Sequence, residues 1–210
     1  MLVPILLVLT LRVWLVRSPE TAFDPMPAQG TPPLVMTGGD PYVRALLRTI
    51  TASEANDPQP YTLLYGGDRF SDLSRHPERC VTIVNGPNRG NCTTAAGRYQ
   101  FLDTTWQEKA QEYHPEPSKL LWWRNYSFAP EHQDTVVYRW LSDPSAWQGK
   151  DIPALLRAGE LDTVLRLLSD TWTSLGYGIE TNSMSDRLPE IYELMLAEEL
   201  AAAEDEASGN

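Results

Sequence analysis

Thr51-Ala52-Ser53-Glu54-Ala55 and Ala95-Ala96-Gly97-Arg98-Tyr99-Gln100-Phe101, about forty residues apart, decide how this chain is read. The first closes an amphipathic helix pattern in which Val43, Leu46, Leu47 and Ile50 recur at helical spacing. It leaves a lone carboxylate, Glu54, at the helix end. The second is a tight glycine turn that carries Arg98, Tyr99 and Gln100. Upstream, Asp40 suits the N-cap and Pro41 the first helical position. Downstream, Pro58 and Pro60 require the helix to stop near Glu54.

Residues 61–84 read differently. Tyr61-Thr62-Leu63-Leu64-Tyr65, a Gly66-Gly67 turn and Val81-Thr82-Ile83-Val84 predict a small β-hairpin or irregular sheet. The rest is helical in pattern. Asp103 is read as the cap of a helix carrying Trp106, Ala110 and Tyr113. Val136, Val137, Trp140 and Leu141 share a face, as do Leu161, Val164, Leu165, Leu168 and Trp172. Leu188, Ile191, Leu194 and Met195 mark a last helix. No internal repeat is present. The expected fold class is mostly α (α+β), with a small β wing.

The 210 residues have room for one catalytic domain with a leader and a tail. A net charge of -11 argues against nucleic acid, which needs a basic footprint. Seven Trp and nine Tyr serve either as core filler or as flat faces for sugar rings. The first sixteen or so residues are apolar, broken by Pro4 and Arg12. That is short for a membrane span and near the length of a signal-peptide core. Three readings stand: a signal peptide, an uncleaved signal anchor, or a start mis-assigned within a longer leader. Export or membrane tethering is the expectation. Residues 18–39, rich in Pro and Gly, read as a linker. The boundaries are then a 1–17 leader, an 18–39 linker, a 40–200 catalytic domain and a 201–210 acidic disordered tail. Glu198 and Glu199 are placed with that solvated, fraying end.

Cys80 and Cys92 flank a turn-rich loop, Asn85-Gly86-Pro87-Asn88-Arg89-Gly90-Asn91. They are either two unrelated thiols or a disulfide, and the disulfide is the expectation. Such a bridge is worth roughly 3 kcal/mol in the loop-entropy picture and implies an oxidising compartment. His76, His114 and His132 form no metal-ligand spacing, so no metal is expected.

Cleaving a glycosidic bond needs an acid that still holds its proton near neutral pH. Glu54 meets the need, because the negative end of a helix disfavours a second negative charge. The competing reading is a surface glutamate at a fraying helix end. A second carboxylate would come from Asp57, Asp68 or Asp72, none of which is singled out by spacing. A one-acid mechanism stays open, in which a sugar hydroxyl replaces water as the nucleophile.

From about residue 41 to 196 the chain resembles the phage lambda endolysin type of lytic transglycosylase, glycoside hydrolase family 104. Five stretches carry the likeness, in order. They are Ala52-Ser53-Glu54, the segment Tyr65 to Pro77, Ala96-Gly97-Arg98-Tyr99-Gln100, Pro130 with Gln133-Asp134, and Trp172-Thr173-Ser174-Leu175 followed by Gly176-Tyr177-Gly178. The resemblance implies a lysozyme-like fold, helices around a substrate cleft with a small β-hairpin lobe. It implies peptidoglycan as substrate, no cofactor, and cleavage between N-acetylmuramic acid and N-acetylglucosamine to leave 1,6-anhydromuramic ends. Glu54 would be general acid and then base. Tyr99 and Gln100 would contact the glycan, Gly97 would let the backbone approach it, and Tyr177 would line the cleft. Phe70 and Asp72 would wall the site, or else pack the core and cap a turn. Arg98 would brace the turn through a buried ion pair, and Gln133 and Asp134 are read as structural. The cysteine pair, the leader and the linker depart from the family type. They point to an exported, periplasmic or cell-wall protein, membrane-tethered if the leader stays on. A monomer is expected. The rivals are a hydrolytic muramidase or chitinase on the same fold and a non-catalytic peptidoglycan-binding wall protein.

Overall fold

The computed structural model describes residues 31–116, 126–177 and 184–209. The apolar leader and residues 18–30 of the expected linker lie outside these, as does Gly178. Among the described residues no helix is long and apolar enough to cross a membrane.

The architecture is mostly helical with one two-stranded sheet. Helix α1 (Pro41–Glu54) starts as its sequence dictates: Asp40 caps it by accepting from Tyr42 N–H at 2.9 Å, and Pro41 opens the first turn. It ends when Ala55 leaves helical geometry at φ -142°. Val43, Leu46, Leu47 and Ile50 are fully buried, so this helix is the axis of the core. Around it lie α2 (Asp103–Tyr113), α3 (Pro130–Leu141), α4 (Ile152–Arg157), α5 (Leu161–Leu168) and α6 (Leu188–Ser208), of which α3, α4 and α6 pack on it directly. In α2 the N-cap is Leu102; Asp103 sits in the first turn instead, where it accepts from the Thr94 hydroxyl at 2.8 Å.

The β wing is smaller than its sequence suggests. Strand β1 (Val81–Thr82) pairs antiparallel with β2 (Cys92–Thr93), and Cys80 and Cys92 are disulfide-bonded with Cα atoms 5.5 Å apart. Residues 61–65, expected as a strand, form 3-10 turns with single bridges from Leu63 to Arg69 and Leu64 to Ala96. Trp106, Trp140, Trp147 and Trp172 are all buried, and Trp140 lies 5.1 Å from Trp147 and 5.3 Å from Trp172 between ring centres. The described tryptophans are therefore core, each contributing on the order of 2–3 kcal/mol of apolar burial.

Both expected ends of the domain need correction. Helix α6 runs through Glu198 and Glu199 to Ser208, where a disordered tail was expected. Glu199 is buried against α1, accepting from Arg44 Nε at 2.5 Å and Arg48 Nη1 at 3.1 Å. Arg48 is itself buried, so these charges require one another and hold the helix in register. Residues 31–39 do not behave as a free linker. Thr31 and Leu34 are buried, and Arg48 donates to the Thr31 carbonyl at 2.7 Å.

Candidate active site

The turn at 96–101 is closed by paired hydrogen bonds between Ala96 and Phe101, at 3.0 and 2.9 Å. Four residues, Gly97 to Gln100, are thereby forced into a tight loop. Gly97 takes φ +76° and Gln100 takes φ +48°, both left-handed. A Cβ on Gly97 would lie 2.3 Å from Gln133 Oε1 and 2.8 Å from Phe128 Cζ. The space a Gly97 side chain would need is thus filled by α3 and Phe128. Gln100 is a non-glycine residue held in that conformation while its amide donates to the Gly97 carbonyl at 2.9 Å.

Beneath the turn lies a buried polar network. Arg98 donates to Thr51 Oγ1 (2.8 Å), to Tyr61 Oη (2.9 Å) and to the carbonyls of Pro32 (2.6 Å) and Pro33 (3.0 Å). Asp134 accepts from the Tyr99 and Tyr61 hydroxyls, each at 2.7 Å, and from Val35 N–H at 2.8 Å. Arg98 therefore braces the turn, though it reaches Asp134 through Tyr61 and not by a direct ion pair. Gln133 and Asp134 are structural, as read: Gln133 Oε1 accepts from Arg98 N–H at 2.9 Å and its amide donates to Phe128 O at 2.8 Å. Burial, aided by the Asp134 charge, pushes the Tyr99 phenol well above its ordinary range. Burial likewise pushes Asp134 up, against the pull of Arg98 and the two tyrosines.

Above the turn is a cleft of about 140 Å³ lined by Glu54, Tyr99, Gln100, Phe101, Leu102, Thr105, Thr171, Trp172 and Thr173. The structure thus brings together Glu54, Tyr99 and Gln100. Among the described residues lining it, Glu54 is the one carboxylate. Glu54 Oε1 is hydrogen-bonded to the Ser174 hydroxyl. Tyr99 has no exposed surface and its hydroxyl is held by Asp134, so it forms the wall and offers no free phenol. Trp172 donates its indole N–H to the Tyr99 carbonyl at 3.1 Å, fixing the opposite wall to the turn.

The other expected residues lie elsewhere. Phe70 is half-buried and packs against the core on Phe128, ring centres 6.0 Å apart. Asp72 closes a turn by accepting from Ser74 N–H at 2.9 Å and Ser74 Oγ at 2.6 Å, which holds it below the usual carboxylate range. Tyr177 lines a separate hollow of about 250 Å³ with Leu165, Leu175, Gly176, Ser185, Asp186 and Pro189. Its hydroxyl meets Asp162 and the Arg166 guanidinium lies 4.3 Å from its ring centre. Asp57 is paired with Arg69 at 2.6 Å, and Asp68 with Arg79 at 3.5 Å, both outside the cleft lining. Among the described residues no group of three or more His, Cys, Asp or Glu is arranged to hold a metal. Thr105, Thr171, Thr173 and Ser174 were missed as site residues. Thr173 and Ser174 have one sequence signal, the Trp172-Thr173-Ser174-Leu175 stretch, and Thr105 and Thr171 have none.

The sequence and the fold have known counterparts. The endolysin of Escherichia phage lambda is 29% identical over 121 residues, 56% of this chain and 64% of that protein. The match therefore spans less than two thirds of the relative's length. The solved structure of bacteriophage lambda lysozyme complexed with a chitohexasaccharide matches with a TM-score of 0.53 and 25% identity, over 76% of this chain and 97% of that one. A second lambda lysozyme structure, 22% identical, matches with a TM-score of 0.53 over 78% of this chain and 97% of that one, and shows the same fold. The helices around a cleft with a small β lobe are thus the lambda lysozyme fold. A sequence model described as Endolysin matches residues 44–198, a span that holds Glu54, the 96–101 turn and Trp172. The chain belongs to the Endolysin family.

Proposed function

We propose that the protein cleaves the β-1,4 bond between N-acetylmuramic acid and N-acetylglucosamine in peptidoglycan and leaves 1,6-anhydromuramic ends, with Glu54 as the acid and base. The observation that carries this reading is a cleft whose described lining holds one carboxylate, at the end of the central helix, facing a rigid turn. One carboxyl suffices if no water is activated. Glu54 gives its proton to the leaving glucosamine oxygen as the bond to the muramic anomeric carbon breaks. The muramic C6 hydroxyl bonds to that carbon and passes its proton to Glu54. The carboxyl ends protonated, as it began. Gln100, half-buried in the lining, is assigned to hold the sugar beside the scissile bond. Its left-handed backbone is strain of about 1–2 kcal/mol held at the site by the closed turn. Tyr177 is assigned to a more distant sugar, in the hollow it lines.

The protein acts, on this reading, as a monomer at the cell wall, carried there by residues 1–17 as a cleaved signal or a retained tether. The lambda lysozyme complex with a chitohexasaccharide supports a β-1,4 glycan as ligand. Release of soluble glycan from purified peptidoglycan by the full chain tests the assignment. Glu54→Gln should fold normally and lose at least about a thousandfold in rate. Cleavage that survives the substitution would move the acid to another residue.

A further inference from the structure

Ser174 lies in a 3-10 turn, Thr173–Leu175, that packs on the end of α1. The turn is anchored: Ser185 Oγ donates to the Ser174 carbonyl at 3.0 Å, and the preceding Trp172 is tied to Tyr99. The Ser174 hydroxyl meets Glu54 Oε1 and lies 3.1 Å from Ser53 Oγ. Ser53 donates to the Ile50 carbonyl at 3.0 Å within α1. That commits the Ser53 hydrogen to the backbone, and Ser53 Oγ meets Ser174 as an acceptor.

A hydroxyl has one hydrogen to give and two lone pairs to receive. Ser174 has two acceptors in reach, and the state of Glu54 decides between them. An ionised carboxylate only accepts, so the Ser174 hydrogen turns to Oε1. A protonated carboxyl can donate to Ser174 Oγ, and the Ser174 hydrogen then turns to Ser53. Either arrangement leaves the Ser174 hydrogen with an acceptor and needs no heavy atom moved.

We propose that Ser174 is a positioning residue that holds the Glu54 carboxyl in place through both its protonation states, with Ser53 as its alternate acceptor. This rests on the function proposed above, in which one carboxyl first gives a proton and then takes one. Ser174 gains and loses no proton over the cycle; its hydrogen only rotates. The pair of serines has opposite electrostatic effects. Ser174 donates to the ionised form and favours it. Ser53 draws the Ser174 hydrogen away and favours the protonated form.

The test is the pH–rate profile of peptidoglycan cleavage by the full chain and its variants, at saturating substrate. Ser174→Ala should lower the rate about tenfold and move the alkaline fall in activity up by about one pH unit. Ser174→Thr, which keeps the hydroxyl, should restore both. Ser53→Ala should move the alkaline fall the other way, to lower pH, and this variant carries the test if Ser174→Ala does not fold. Limbs that stay at the wild-type pH, or that move the same way in both variants, would overturn the inference while the proposed function stands. A folded wild-type chain that cleaves nothing would overturn both.

Discussion

Gly97 shows how tightly the site is fixed by single residues. Its left-handed backbone and the contact with Gln133 and Phe128 leave no room for a side chain. Gly97→Ala should cost roughly 2–4 kcal/mol, from backbone strain plus overpacking, read as a lowered urea midpoint with an unchanged slope. A variant as stable as wild type would mean that the turn does not press on α3. The requirement for glycine was legible in the sequence, but its reason was not. Ala96-Gly97-Arg98 announces a tight turn; only the fold reveals that the side-chain space belongs to Gln133, thirty-six residues on. Glu54 was legible for a different reason. Its place at a helix end follows from the Asp40-Pro41 start and the Pro58 and Pro60 stop, which are local signals. Ser174 was not read as a site residue, because what makes it one is its approach to Glu54 across the fold.

At the scale of elements, the cleft depends on pieces that hold the 96–101 turn from several sides. His76 is one. Its Nε2 lies 2.9 Å from the Phe101 carbonyl and so must carry the hydrogen, while Nδ1 accepts from Glu78 N–H at 3.1 Å. Only the neutral imidazole satisfies both, and burial lowers the His76 pKa from its ordinary value. The unfolded chain therefore takes up a proton near pH 6.5 that the folded chain refuses. The stability from neutral His76 is complete above about pH 6.5 and is lost as the pH falls below it. Wild type should lose more stability than His76→Gln between pH 7.5 and pH 5, by denaturant titration; equal losses would count against a neutral His76. Helix α6 acts on the other side of the cleft, through α1, whose end carries Glu54. Glu199→Ala removes an acceptor from two arginines at the α1 contact, Arg48 among them buried. It should destabilise the protein by roughly 3 kcal/mol in thermal or chemical unfolding. An effect below about 0.5 kcal/mol, the range of surface substitutions, would return Glu199 to the solvated end where its acidic neighbours place it. The sequence hid this contact, because a run of acids looks alike whether it faces water or faces Arg44 and Arg48.

Over the whole molecule, the helical core was legible from periodicity. α1 and α3 bury the residues their spacing marks, and α5 buries Val164, Leu165 and Leu168 with Leu161 half-buried. The β wing was overread, since Leu63 and Leu64 carry strand-like side chains but make only isolated bridges. The segment before α1 was underread. Pro32 and Pro33 look like linker, yet their carbonyls end the Arg98 network and Leu34 is buried. Proline composition predicts extended backbone, and extended backbone with free carbonyls is what a buried guanidinium requires of a neighbour. The packed domain therefore includes residues 31–34, and the full chain is the right material for assay. The most direct test of the account is mass spectrometry of the products released from purified peptidoglycan by the full chain, beside Glu54→Gln. Muropeptides lighter than hydrolysis products by one water are expected, with anhydro ends that disappear in the variant. Reducing ends, or anhydro products that persist without the carboxyl at position 54, would contradict it.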